Sequence, residues 1–342
     1  MKIKSKVLIA GIGGASLGTE ICKSLTRTGE YTIFGCDISK HAYGHYQEGF
    51  AETFVIDREN YVGAVHELCL QHDIRAVIPG GEGPLSLLGQ VMDVFQKSGI
   101  HIAANSPEVV ATCIDKQRLF ERLEELNILT PKTFTVEDVT DLDDIPIPCV
   151  VKPATGTGGS HLVFLASDHA QASLYVSYLL NNGNKTLVQE YIPEDEGEFT
   201  VGVLSLPNGR LFGSMAMRRM FHAKLSVAAR TDTGLISSGY SQGLIDDFPE
   251  VRKAAEEIAL SLGSHGPVNI QGRMKDGVFT PFEINPRFSA STYLRALAGF
   301  NEIDIFLKAL FGEPYETSFS IRPGYYLRSL TESVAPVVEG AK

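Results

Sequence analysis

Tryptophan is absent from the 342 residues, and no two of the five cysteines form a C-x-x-C pair. Cys22, Cys36, Cys69, Cys113 and Cys149 are odd in number and dispersed. That argues against a disulfide frame or a zinc site and reads as reduced structural thiols. Long apolar runs are missing too, so no segment reads as a transmembrane helix. Val7-Leu8-Ile9-Ala10 stops at Gly11, shorter than the apolar region of a secretory signal. Positive charge is scarce: 30 Lys and Arg against 41 Asp and Glu leave a net charge of −11. Such a balance argues against a nucleic-acid or anionic-membrane partner. There is no internal repeat at solenoid spacing and no low-complexity tract. The composition, 44% hydrophobic and 21% charged, is that of an ordinary globular protein, and a cytoplasmic one is expected.

What is present centres on Phe282-Glu283-Ile284-Asn285-Pro286-Arg287. Residues two apart on a strand share a face, so Glu283, Asn285 and Arg287 are expected to project together, with Phe282 and Ile284 toward the core. A carboxylate beside a carboxamide offers hard oxygen ligands of the kind Mg²⁺ takes with phosphates. The guanidinium supplies a planar donor fork for a phosphoryl group. The same pattern also fits a plain edge strand with one solvated face. Pro267-Val268-Asn269-Ile270-Gln271 precedes it across Lys275-Asp276-Gly277, a hairpin signal that adds two amides on the neighbouring strand.

Taken in order, the chain opens on strand 7–10, the turn Gly11-Ile12-Gly13-Gly14-Ala15-Ser16, a helix through Leu25 and a strand 31–36 ending on Asp37. This is a Rossmann-like opening unit, with Ser16 in place of the third glycine. A helix near 60–71, strand 76–79, Gly80-Gly81-Glu82-Gly83, a helix over 84–98 and strand 100–103 repeat the pattern. Ligands of open parallel sheets lie outside the strands' carboxyl ends, which makes Gly13 and Glu82 substrate candidates. Glu82 fits a structural hinge equally well. Asn105-Ser106-Pro107 carries helix-start chemistry, and Asp115-Lys116 opens an amphipathic helix. Cys149-Val150-Val151-Lys152-Pro153 runs into a turn containing Gly156, Gly158, Gly159 and Ser160, then a returning strand 161–165. A hairpin flap whose glycine amides and nearby lysine cradle a polyphosphate is one reading; a flexible surface turn is the other. Strands follow at 186–193, 199–206 and 210–217, then an irregular part including 218–224 and 231–243, a helix near 249–263, helices near 291–311 and a late strand 325–330.

Together and in this order these stretches resemble the ATP-grasp superfamily, and within it one ATP-binding half of the carbamoyl phosphate synthetase large chain. The resemblance implies an α/β fold: a Rossmann-like domain (1–106), a subdomain with the glycine-rich flap (107–185) and a C-terminal subdomain with the metal site (186–342). It assigns Lys116 and Lys152 to nucleotide phosphates and Gln189, Glu190, Tyr191 and Ile192 to the hinge that meets adenine. Glu198 is assigned to the ribose, and Gln271, Glu283 and Asn285 to Mg²⁺ or Mn²⁺. Arg287 is placed beside the transferred phosphoryl group. The chain holds one such unit where the synthetase has two in tandem. Arg218, Arg219 and Lys224 occupy the segment where the synthetase histidine is not found, and they suit an anionic carboxylate or acylphosphate.

The implied activity is an ATP-dependent ligase that joins a carboxylate, activated as an acylphosphate, to an amine or other nucleophile. Its partners would be small molecules, with a homodimer left open. Phosphoryl transfer needs positioning and charge neutralisation, which matches a set of lysines, amides and an arginine with no nucleophile. Open alternatives are a bicarbonate- or carbamate-phosphorylating enzyme, a biotin-independent carboxylase, a nicotinamide oxidoreductase resting on turn 11–18 and Asp37, and a non-catalytic ATP-binding regulator.

Overall fold

A computed structural model describes residues 4–13, 17–142, 145–155, 160–222 and 224–335. The first part is a five-stranded parallel sheet of β1 (Ser5–Ala10), β2 (Tyr31–Asp37), β3 (Glu52–Val55), β4 (Ala76–Pro79) and β5 (His101–Ile102), in the order β3-β2-β1-β4-β5. Val7, Leu8, Ile9 and Ala10 are all fully buried, as a central parallel strand covered on both faces requires. The helices are α1 (Leu17–Thr26), α2 (Tyr61–His72), α3 (Glu82–Leu88) and α4 (Met92–Lys97). The single helix expected over 84–98 is thus two. It breaks at Gly89, a weak helix former packed against Val110. The glycine turn after β1 serves close packing. A Cβ on Gly80 would lie 1.9 Å from the Gly11 carbonyl oxygen, and one on Gly18 2.0 Å from it. Asp37 is also used internally, since its oxygens accept from the Ile12 and Ser39 N–H groups at 2.9 Å each.

Ser106 and Asp115 then start two helices, α5 (Pro107–Ile114) and α6 (Lys116–Glu125), by accepting from the Val109 and Arg118 N–H groups. A four-stranded antiparallel sheet follows, β6 (Thr133–Val136), β7 (Cys149–Pro153), β8 (Phe164–Ala166) and β9 (Thr186–Glu190), in the order β6-β9-β7-β8. It is covered by α7 (His169–Asn181), whose Val176 and Leu179 pack on Val151 and Val188. The returning strand begins at Phe164, three residues later than the sequence suggests, and it pairs antiparallel with β7. The glycines of that connection, Gly156, Gly158 and Gly159, lie outside the described residues.

The third sheet contains β10 (Glu198–Ser205), β11 (Leu211–Arg219), β14 (Gly243–Ile245), β15 (Pro267–Lys275), β16 (Val278–Asn285) and β17 (Gly324–Tyr326), in the order β16-β15-β10-β11-β14-β17. Part of the stretch expected to be irregular is regular. A two-stranded ribbon, β12 (Val227–Thr231) and β13 (Gly234–Ser237), stands on it. Most of β12 is exposed, so it shows no apolar alternation to read. One helix, α8 (Pro249–Ser261), backs the sheet, and the C-terminal helical region is two short helices, α9 (Thr292–Leu297) and α10 (Glu302–Leu310). Leu119, Phe120 and Leu123 of α6 pack in one core with Val201, Ile258 and Ile284, on the six-stranded sheet. A second core joins Ile21 and Leu25 of α1 to Leu294, Ile303 and Phe306, fastening the parallel sheet to the same body. These two junctions bring the carboxyl end of β4, the start of α6 and the end of β16 to one place.

The β15–β16 hairpin turns on Asp276 and Gly277, with φ of 52° and 73°, the left-handed pair of a type I′ turn. Gln271 pairs with Glu283 and Gly272 with Pro281, which leaves Phe282 as the extra residue of a β-bulge. Phe282 therefore does not join Ile284 in the core.

Candidate functional site

Two cavities adjoin between the sheets. The first, of about 90 Å³, is lined by Val150 and Lys152 of β7, Gln189 and Glu190 of β9, Tyr191 and Ile192, Ser160, Ile236, Arg273, Lys116, Phe282 and Glu283. The second, of about 280 Å³, lies between Glu82 at the start of α3, residues of α5 and α6, and the end of β16 with Asn285 and Arg287. Lys116, Phe282 and Glu283 line both. The bulge thus places Phe282 at their common wall.

Lys152 projects from β7 with its Nζ buried, donating to Gln189 Oε1 at 2.8 Å and the Phe282 carbonyl at 3.4 Å. Burial pulls its ammonium down to about 7, Lys116 adds to that, and Glu283 opposes it. Gln189 is held in turn by donating to Thr133 Oγ1 at 2.8 Å. Glu190 accepts from Lys275 Nζ at 2.6 Å and the Lys132 N–H at 3.2 Å. Burial pushes its carboxyl up, but those donors outweigh it and hold the group below the usual carboxylate range.

A polar relay crosses the end of the site. Arg219 donates to Gln271 Oε1 at 3.2 Å, and Gln271 Nε2 to Glu283 Oε2 at 2.9 Å. Asn285 Nδ2 donates to Glu283 Oε1 at 3.1 Å. The Arg287 fork then reaches Asn285 Oδ1 at 3.4 Å and Glu82 Oε1 at 3.1 Å. Period-two projection from β16 accounts for Glu283 and Asn285, while Arg287, expected on the same strand face, lies two residues past the strand's end in a bend and reaches the set from there.

Several expected residues stand elsewhere. Glu198 is fully buried outside both cavities, 2.8 Å from Arg273 Nε and 3.4 Å from Arg219, so its carboxylate is enclosed behind the wall instead of presented to a ligand. Arg219 is likewise buried, and burial lowers its guanidinium against the pull of Glu198 and Glu283. It holds Gln271 and the Ser226 and Ser238 carbonyls, where a direct substrate contact was expected. Lys224 is exposed and lines neither cavity, Gln271 lies outside both and donates to Glu283, and Gly13 sits beside Asp37. Arg273 was missed by the sequence reading. It donates to the carbonyls of Ile192 at 2.5 Å and Leu235 at 3.0 Å; burial lowers its guanidinium, but Glu198 and Tyr191 together outweigh that and keep it raised. Its position two after Gln271, on the same strand face, was the available signal.

Among the described residues no cluster of three or more His, Cys, Asp or Glu could hold a metal, and no helix is long and apolar enough to cross a membrane. One carboxylate with neighbouring carboxamides does fit a hard cation that keeps water and phosphate oxygens for its other positions. Glu283, with Asn285 presenting Oδ1, is the pair that would hold it.

Comparisons with known proteins agree with this architecture. A family model described as ATP-grasp in the biosynthetic pathway with Ter operon matches residues 183–333. The carbamoyl phosphate synthase large chain of Thermoplasma acidophilum is 26% identical over 305 residues, covering 82% of this chain and 27% of that protein. That of Mesorhizobium japonicum is 24% identical over 273 residues, covering 70% and 22%. The chain spans about a quarter of the length of these relatives. Among solved structures, a biotin carboxylase–β-γ-ATP complex from Campylobacter jejuni superposes with a TM-score of 0.68 at 14% identity, covering 93% of this chain and 74% of that one. The L-amino acid ligase of Bacillus licheniformis gives 0.66 at 16% identity, with 91% and 75% covered. By fold the chain is an ATP-grasp protein, and it resembles one ATP-binding half of the carbamoyl phosphate synthase large chain.

Proposed function

We propose that the protein is a magnesium-dependent ligase that uses ATP to activate a carboxylate and joins it to an amine or another nucleophile. One observation carries the reading: two cavities share a wall made of Lys116, Phe282 and Glu283. A nucleotide in the first cavity would direct its γ-phosphate at that wall, and an acid in the second would meet it from the other side.

In this reading Tyr191 and Ile192 border the base, and Lys116, Lys152 and Ser160 meet the phosphates. Gly156, Gly158 and Gly159 remain proposed phosphate contacts. Glu283 and Asn285 would hold Mg²⁺, which would supply charge neutralisation on the phosphate oxygens. The acid's oxygen attacks the γ-phosphorus and the bond to ADP breaks, giving an acylphosphate. The amine nitrogen then attacks the acyl carbon, phosphate leaves with the C–O electron pair, and the nitrogen's proton passes to solvent. Arg287 meets the charge that grows on the moving phosphoryl group. The three-part division at residues 106 and 185, the cytoplasmic setting and a homodimer are proposals of the same standing.

The test is phosphate release with ATP and Mg²⁺ across a matrix of carboxylates and amines. Release requiring one acid and one amine is expected. Release driven by bicarbonate alone would transfer the assignment to a bicarbonate-phosphorylating enzyme. Tight NADH binding without ATP binding would favour the oxidoreductase, although the Asp37 carboxylate is already taken by backbone N–H groups.

A further inference from the structure

We infer that the second cavity takes an apolar α-amino acid as the acid to be activated, its carboxylate on Arg287 and its ammonium on Glu82; this rests on the ligase reading and names its substrate class. The two charges of an α-amino acid are one carbon apart, so the groups that receive them must be close neighbours of opposite sign. Arg287 and Glu82 are such a pair, 3.1 Å apart, contributed by the bend just past β16 and by the first residue of α3. Arg287 is anchored through Nη1 to the Phe288 carbonyl at 3.0 Å, while its Nε is buried with no hydrogen-bond partner among the described residues.

A zwitterion exchanges one ion pair for two and leaves neither side chain's charge alone. A simple monocarboxylate would take Arg287 from Glu82 and leave that carboxylate without its partner, facing a second negative charge. A dicarboxylate would bring a further negative charge toward Glu82 and Glu283. The rest of the wall decides the side chain. Apart from Ser86, Asn285 and the Lys116 and Glu283 shared with the first cavity, that wall is apolar, with Leu85, Cys113, Ile114, Leu119 and Phe120. A cavity of about 280 Å³ is small for a ligand site. Glu82 also has a chemical use, because it keeps the amino nitrogen protonated and without a lone pair. That leaves the carboxylate oxygen, not the nitrogen, to attack the γ-phosphorus. The oxygen–phosphorus bond forms, the bond to ADP breaks, and the ammonium proton stays in place.

The experiment uses the whole chain with ATP, Mg²⁺ and hydroxylamine, which attacks an acylphosphate to give a hydroxamate with loss of phosphate and a proton. L-leucine is compared with 4-methylpentanoate, its counterpart without the amine, and with L-glutamate. We expect kcat/KM for leucine to exceed that for 4-methylpentanoate by roughly tenfold or more, the scale of one charge-assisted contact. Glu82→Gln should bring that ratio close to one, and Glu82→Asp should retain the preference. A merely structural Glu82 would lower both substrates together and leave the ratio unchanged, which overturns the inference. Equal use of leucine and 4-methylpentanoate, or of leucine and glutamate, by the unmodified protein overturns it too while leaving the ligase reading intact. No hydroxamate from any acid, with ATP binding seen by calorimetry, removes both.

Discussion

Lys152 Nζ is buried with two neutral oxygens in reach, Gln189 Oε1 and the Phe282 carbonyl, and Lys116 lines the same cavity. Its ammonium is pulled from an ordinary 10.5 to about 7, by burial first and Lys116 second. Between those values the unfolded chain binds the proton and the folded one releases it, so stability from this group rises with pH across the window. Lys152→Met should therefore raise the urea midpoint of the ligand-free protein near pH 7, and the gain should shrink toward pH 10. An incoming polyphosphate needs the charged form. Nucleotide affinity is thus expected to fall above pH 7, by at most about tenfold per unit for one proton, with a flatter profile in Lys152→Met by calorimetry. Glu283 and Arg287 act on the chemistry more than on nucleotide binding. Glu283→Gln and Arg287→Ala should each reduce phosphate release by roughly a hundredfold or more with little change in melting. Near-normal turnover in a folded variant would return this strand to a solvated edge.

At the scale of elements, the β15–β16 hairpin fulfils its Asp-Gly signal, while the bulge that turns Phe282 into the site has no local signature. An alternating pattern carries no mark of where one strand will hold an extra residue, because that depends on the neighbour it pairs with. The same holds for the arginines behind the wall. Glu198 of β10 lies between Arg219 of β11 and Arg273 of β15, and these strands are adjacent only in the folded sheet. Glu198→Gln would leave two buried guanidinium groups without their carboxylate. A loss of about 3 kcal/mol in urea unfolding is expected, the usual scale for breaking a buried pair from one side. A loss below about 1 kcal/mol would mean that the cluster is open to water.

At the scale of the molecule, the four-stranded sheet and the segment after it are tied to the ribbon of β12 and β13 beside the first cavity. Ser160 Oγ donates to the Ser237 carbonyl at 2.6 Å, Ser167 Oγ lies 2.7 Å from Thr233 Oγ1, and Tyr191 Oη accepts from the Leu235 N–H at 2.9 Å. Arg273 of β15 donates to the Leu235 carbonyl from the other side, so the ribbon of β12 and β13 touches both walls of the cleft. Occupancy of the first cavity should stabilise these ties. Amide exchange in residues 186–192 and 227–237 is expected to slow when a non-hydrolysable ATP analogue is added. Equal exchange in both states would make the ribbon a static part of the surface.

The sequence by itself determined the parallel opening unit, the strand bearing Lys152, the hairpin and the same-face pair Glu283 and Asn285, with Arg287 just past the strand's end. Each follows from local periodicity, turn chemistry or a short run of side-chain types, which need no distant partner. Tertiary structure decided which of the candidates meet. It set Glu82 against Arg287 from 205 residues away, enclosed Glu198 between two arginines, left Lys224 outside and brought Arg273 to the first cavity. Those outcomes depend on strand pairing order and on the two cores that join the sheets. They are set by burial of side chains far apart in the chain, and no short stretch of sequence carries them.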